Sequence, residues 1–493
     1  MVRWPIIGLL FAVSSCGSRS VPGPDAGVDF GVRRTEITVP QAVKNMVDLL
    51  FMVDNSASMG PIADELKARF GQLVKVFQDL AAKGTYVDLH IGVVTSDYGA
   101  GATGAPGCQP SPGGQQGRLV SIGAYAPLDC EPPLGANFIK YAFAANGGGV
   151  HNLPRGQDLL RTFTCMASVI TNQSAGCGFE HPLESVYAAL RNSIPENVGF
   201  LREGALLEVV FVTNEDDCSA PIDSDLFDKN RVAQYGFLAS FRCNRFGHIC
   251  GNPPAPPPYG SSPGALGGCV PAPNLGGGGP GKLYDVSRYV DFFTKPASQG
   301  GVKANPKDVI LTGIMPPSEP YQVILSNPGT PGNQPYVQCG QLAEASNPPC
   351  VPVVQHSCQN PAKPQFFGDP AVRIAAVIKS AANHQITSVC DDSYAGALGQ
   401  IGNLIVATVG GGCFPAPLVQ PPDCDAFEVT INPDGTTTTI RLPACGAAGL
   451  PCWRFERKAA CATISPDGLG LTVDRGGRPA RDGTSVKISC LTR

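Results

Sequence analysis

The sequence predicts an α/β fold, a doubly wound and mostly parallel sheet, on three observations. Short apolar runs alternate with segments of helical period from Val47 onward. The runs have the length of buried strands, and the periodic segments are long enough to cover them. Stretches rich in glycine and proline, Gly99–Gly114, Asn252–Gly281 and Pro316–Pro364, fall between these elements. They therefore read as insertions in one domain.

Val47–Val53 is the first apolar run and predicts a buried strand. After Pro61, a favourable first helical residue, the apolar residues Ile62, Leu66, Phe70, Leu73, Phe77 and Leu80 step by three and four. That spacing makes one apolar helix face, closed by Gly84. Val87–Thr95, Leu206–Thr213, Val309–Met315 and Ile386–Val389 are further strands. Leu160–Ile170, Pro182–Arg191, Tyr284–Phe293, Ala371–Ala382 and Tyr394–Thr408 are the helices between and after them. Beyond Gly410 the pattern changes. Asp425–Asn432 and Thr436–Leu442 flank Pro433-Asp434-Gly435, a hairpin signal.

The organisation that follows is a leader at 1–16, a flexible tether at 17–39, a main domain at 40–411 and a small β-rich module at 412–493. The main domain carries insertions at 98–150, 218–283 and 316–368.

Composition narrows the function. Forty acidic and 36 basic residues in 493 give a formal charge of −4, which is no footprint for nucleic acid. Nineteen cysteines occur without a single Cys-x-x-Cys, so zinc-knuckle spacing is absent and disulfides are expected. The leader has one charge at Arg3, a short apolar stretch Trp4–Val13, and then Ser14-Ser15-Cys16. A basic start and a short apolar core mark a secretion signal. The remaining 18 cysteines fall in groups along the chain, and pairing is expected mostly within groups: Cys108 with Cys130, Cys165 with Cys177, and the rest within the second insertion, the third insertion with Cys390, and the module.

Asp54, Ser56 and Ser58 carry the chemistry. They follow a buried strand and precede a helix, and alternate residues of an extended turn point the same way. One carboxylate and two hydroxyls form an oxygen-only set suited to a hard divalent cation, Mg²⁺ first, with Ca²⁺ or Mn²⁺ as alternatives. The competing reading is that these residues only cap the helix. The acidic run after Asn214, with Asp217, Asp223 and Asp225, suggests a second ion; its plain alternative is a solvated acidic loop.

Two family resemblances follow from these residues. Val13-Ser14-Ser15-Cys16-Gly17 resembles the lipobox of bacterial lipoproteins, which implies lipidation of Cys16, export to the cell envelope, and an outer-membrane address. Asp54-Asn55-Ser56-Ala57-Ser58 in its strand–helix context resembles the metal-ion-dependent adhesion site of von Willebrand factor type A domains. That resemblance implies a non-enzymatic protein that binds a partner protein through the cation, the partner offering an acidic side chain. It also implies a threonine and an aspartate as further ligands from later loops. The threonine is missing before Pro182, where Glu180 stands in its place; Asp216, or else Asn214, takes the aspartate position. The alternative implied by these departures is a structural envelope lipoprotein with a degenerate, metal-free site.

Overall fold

A computed structural model of the chain describes residues 33–493 apart from 41–45, 83–85, 102–104, 106–107, 109–113, 145–148, 172–176, 261–263, 274–281, 328–336, 410–411, 415, 433–435, 447–448, 459–460, 462–464, 477, 479 and 482–483. The leader with Cys16, and the Pro433-Asp434-Gly435 turn, lie outside the described residues.

The chain opens with strand β1 (Arg33–Pro40), which occupies the end of the stretch read as a tether. Next come β2 (Met46–Val53), helix α1 (Gly60–Ala82), β3 (Asp88–Thr95), β4 (Ile139–Phe143) and β5 (Gly149–His151). Helices α2 (Leu159–Ala167) and α3 (Pro182–Ala189) lead to β6 (Leu206–Val212). Helix α4 (Ser287–Thr294), β7 (Val309–Met315), α5 (Arg373–Ser380), β8 (Asn383–Ser388) and α6 (Ala395–Val409) follow.

One seven-stranded sheet has the order β8-β7-β6-β2-β3-β4-β5. Its first five strands run parallel, with Val47–Val53 aligned on Leu206–Val212 and on Leu89–Thr95. β4 and β5 extend it as an antiparallel ribbon. The apolar stripe of α1 packs on one face with α2 and α6, where Phe70 stacks on Phe163 at 3.6 Å. Gly402 of α6 meets Val76 of α1 so closely that an added Cβ would fall 2.8 Å from that side chain. Helices α3, α4 and α5 pack on the other face.

The expected class, a doubly wound mostly parallel sheet, does not describe the chain. Among the described residues there are six sheets, and five of them are wholly antiparallel. The fold is mixed α/β. Three of the antiparallel sheets lie in the insertions and two in the C-terminal module, where strands pair with distant partners that local period does not encode. Tyr321–Asn327, for example, pairs with Val351–Val354 on one side and with Gly264–Leu266 on the other, joining two insertions in one sheet.

Among the described residues there are nine disulfides. Seven join cysteines of one group: 218–243, 250–269, 339–350, 358–390, 413–461, 424–490 and 445–452. The first two groups exchange partners, giving Cys108–Cys177 and Cys130–Cys165. The first insertion is therefore tied to the segments around α2 and before Glu180. Replacing Cys108 and Cys177 together by serine should cost about 2–4 kcal/mol. Urea denaturation measures that loss, and limited proteolysis should show new cleavage near residues 99–118.

The C-terminal strands β9 (Cys424–Ile431), β10 (Thr437–Leu442) and β11 (Thr484–Thr492) form a separate antiparallel sheet in the order β1-β11-β9-β10. Its core gathers Val39, Phe414, Leu418, Ala426, Trp453, Val486 and Ile488. β1 thus belongs to this sheet, because its residues pair with β11 along their whole length.

Candidate functional site

The loops at the carboxyl ends of β2, β3 and β6 converge. The Asp54 amide donates to the Val212 carbonyl at 2.9 Å, extending the ladder one residue past β2. The carboxylate is fully buried and already engaged. Its Oδ1 accepts the Ser56 amide at 2.8 Å and the Ser96 hydroxyl at 3.1 Å, and its Oδ2 accepts the Thr213 hydroxyl at 2.8 Å. Burial nonetheless pushes its pKa above the ordinary aspartate value.

Ser56 precedes a short 3-10 turn (Ala57–Met59) without a side-chain capping bond, so the simple capping alternative does not hold for it. Its hydroxyl lies 3.2 Å from that of Ser58, and Ser58 donates to Asn214 Oδ1 at 3.1 Å. Asp54, Ser56, Ser58 and Asn214 are therefore brought together, and Ser96 and Thr213 join them. Sequence reasoning missed the last two. Both stand at the carboxyl ends of strands, which is the signal that would have found them.

Glu180 also reaches this region. The amide of the next residue, His181, donates to the Ser96 carbonyl at 2.8 Å, and the Glu180 carbonyl accepts the Cys218 amide at 2.7 Å. The Glu180 side chain is 2% exposed, and its Oε1 has no hydrogen-bond partner. Burial, then the nearby Glu215 and Asp54, raise its pKa well above the usual range. Glu215 is partly exposed, and burial of its carboxyl with Asp369 and Asp54 nearby raises it likewise. The Asp369 amide donates to the Asn214 carbonyl at 2.8 Å, which places that residue here. Glu180, Glu215, Asp216, Asp217 and Asp369 line a cavity of about 10 Å³ beside the Cys218–Cys243 bridge, at most the room of one water. His181, buried with Nε2 unpaired, is held down to a pKa of about 3 by desolvation.

Asp216 lines that cavity but does not join the cluster of Asp54, Ser56 and Ser58. It turns to the start of α5 and accepts the amides of Val372 (2.7 Å), Arg373 (2.8 Å) and Ile374 (3.1 Å). It also bonds His248 Nε2 at 2.8 Å. Burial alone would raise its pKa, but the hydrogen bond and charge of His248 with the Arg373 and Asp217 amides hold it below the ordinary value. Asp217 is claimed by Arg373, at 3.0 Å, and by the Leu183 amide at the start of α3. Asp225 pairs with Tyr235 at 2.7 Å and Lys282 at 3.1 Å, while Asp223 is exposed. The expected second ion at Asp217, Asp223 and Asp225 therefore has no common site.

The expected divalent cation is likewise corrected. Among the described residues no three histidine, cysteine, aspartate or glutamate side chains gather in a way that holds a metal ion. The physical reason is that the carboxylates nearest the serines are spent. Asp54 serves two hydroxyls and an amide, and Asp216 serves a helix terminus. The acidic ligand expected from a partner rested on that cation and falls with it.

No protein-family model matches the chain, and no curated protein is similar to it. Among solved structures, the pilus adhesin RrgA from Streptococcus pneumoniae is similar at 10% identity and a TM-score of 0.30, over 93% of this chain. This chain spans 58% of that protein's length. The adhesive tip pilin GBS104 from Group B Streptococcus agalactiae is similar at 10% identity and a TM-score of 0.28, over 94% of this chain and 83% of its own. Likenesses this slight carry no argument about fold or function.

Proposed function

We propose that this chain is an exported, lipid-anchored envelope protein that binds a partner protein at the loops around Ser58, without a metal and without catalysis. Nine disulfides mark a chain that matures outside a reducing cytosol. No helix among the described residues is long and apolar enough to cross a membrane; attachment at Cys16, with the outer membrane as its address, rests on the lipobox resemblance of Val13–Gly17. The resemblance to von Willebrand factor type A domains enters as support for protein binding at the Asp54–Ser58 loop.

A single observation carries the reading. Glu180, Glu215 and Asp369 line one small cavity whose lining holds no basic side chain, and burial, with Glu215 and Asp54 near Glu180 and with Asp369 and Asp54 near Glu215, raises the pKa of both glutamates. Burying acids without a base is costly. Ser58 and Glu215 at the rim are partly open to solvent. A lysine or arginine from a partner would satisfy these acids, so the partner's contacting group is basic.

Photo-crosslinking in intact cells tests this. A crosslinker at partly exposed Ala57 should capture a discrete adduct, and one at exposed Lys307, just before β7, should not. Glu215→Lys should weaken the Ala57 adduct about tenfold or more. Equal adducts from both positions, or indifference to Glu215→Lys, would leave the second reading: a structural envelope protein whose spent Asp54 and Asp216 only hold its loops in place.

A further inference from the structure

The C-terminal module carries a groove that the function above does not use. It has a volume of about 460 Å³, within the range of sites that hold a ligand. The sheet supplies its floor. Glu428 and Thr430 of β9 lie directly opposite Ile440 and Thr438 of β10. Towards the other end of the same face, Ala426 and Leu442 sit in the module core. The face therefore runs on from a covered half to an open half. Ile440 and Leu450, at 55% and 57% exposure, remain uncovered there.

Three arginines make the wall. Arg475 is paired with Glu428 across the groove. Arg478 and Arg481 are exposed, and neither guanidinium has an acidic partner among the described residues. Gly476 has a φ of +62°, and an added Cβ would come 2.7 Å from Leu450. The turn that aims the arginines is thus pressed against the apolar lip. Among the described residues β10 is an edge strand, paired with β9 alone, and Thr437–Arg441 are exposed. A free strand edge offers backbone donors and acceptors to another extended chain.

We propose that this groove is a second binding site, one that takes an extended polypeptide segment bearing carboxylate side chains, laid along β10 with its acids on Arg478 and Arg481 and its apolar residues on Ile440 and Leu450. Charge complementarity sets the sign of the ligand. The strand edge and apolar lip select a peptide over an anionic glycan, since no aromatic ring lines the groove as a sugar platform.

The test titrates the full chain with a fluorescein-labelled eight-residue peptide alternating glutamate with valine and threonine, read by anisotropy. The lysine counterpart and a sulfated heparin hexasaccharide serve as the other probes. The acidic peptide should bind, the lysine peptide should not, and Arg478→Glu with Arg481→Glu should weaken binding about tenfold or more. Both arginines are exposed, so the melting temperature of this variant should be unchanged. Leu450→Asp should weaken the peptide as well. Absence of peptide binding, binding unchanged in the double variant, or tighter binding of the hexasaccharide would each overturn the proposal. Glu215→Lys lies outside the groove and should leave the peptide titration as in the wild type, which separates this site from the one around Ser58.

Discussion

Asp216→Ala should be among the most damaging single substitutions in the chain, costing about 3–5 kcal/mol, the usual loss when one member of a buried charged network is removed. The carboxylate closes three amides at the start of α5 and meets His248, whose Nδ1 lies 2.9 Å from the Tyr321 hydroxyl. His248 and Tyr321 are each 1% exposed. Without the carboxylate, these groups stay dry and unpaired, and the first turn of α5 loses its terminus. Asp216→Asn keeps the shape and one acceptor, so it should cost less. Urea denaturation of both variants checks the order; an alanine variant within 1 kcal/mol of wild type would sink the account. Because the native pKa of Asp216 is held down, its contribution is whole above the unfolded value of about 4. It is lost as pH falls through the native value.

Glu180→Gln with Glu215→Gln should act in the opposite direction and stabilise the protein at neutral pH. Both native pKa values are raised, so the folded state keeps protons that the unfolded state has released. Stability therefore falls as pH climbs from the unfolded value near 4.5 towards the native ones. Removing the titration should recover about 1–3 kcal/mol at pH 8, the scale of an unsatisfied buried polar group. At pH 4, below the unfolded value, both acids are mostly protonated in either state and most of the gain should vanish. His181 works from the other side. Its native pKa of about 3 lies below that of a free histidine. The unfolded state thus takes up a proton first, and stability drops as pH falls from about 6.5 towards 3. Melting temperatures of the double variant and wild type at pH 4, 6 and 8 check the sign. A gain that is flat across pH would mean that the two carboxyls do not titrate as their surroundings require.

Much of the core was legible in the residues. The stripe Ile62, Leu66, Phe70, Leu73, Phe77 and Leu80 is buried as its spacing demands. The Val47–Val53 run is buried, as a strand between two neighbours must be. The β9–β10 pair was legible in its flanking runs, but the β4–β5 ribbon and β1 were not, because Ile139–Phe143 and Gly149–His151 are short and mixed in polarity, and β1 is half polar. Their pairing is fixed by distant partners, which local period does not encode. At the site, convergence of Asp54, Ser56 and Ser58 followed from strand and turn geometry. What those oxygens bond to did not, since Ser96, Thr213 and Asn214 arrive from far along the chain. Asp216 shows the limit most clearly. An aspartate four residues past a strand end has no sequence mark that tells a ligand from a cap on a helix more than 150 positions later.

β1 and β11 have one more consequence, for how the molecule matures. The earliest described strand finds its register only on the latest one, Arg33 facing Thr492. During synthesis, amino end first, β1 has its backbone bonds unmet and stays so until β11 is made. Throughout that interval it is an open template for stray strands. Completing this sheet thus waits for β11, and a chain cut short before β11 would carry a permanently sticky start.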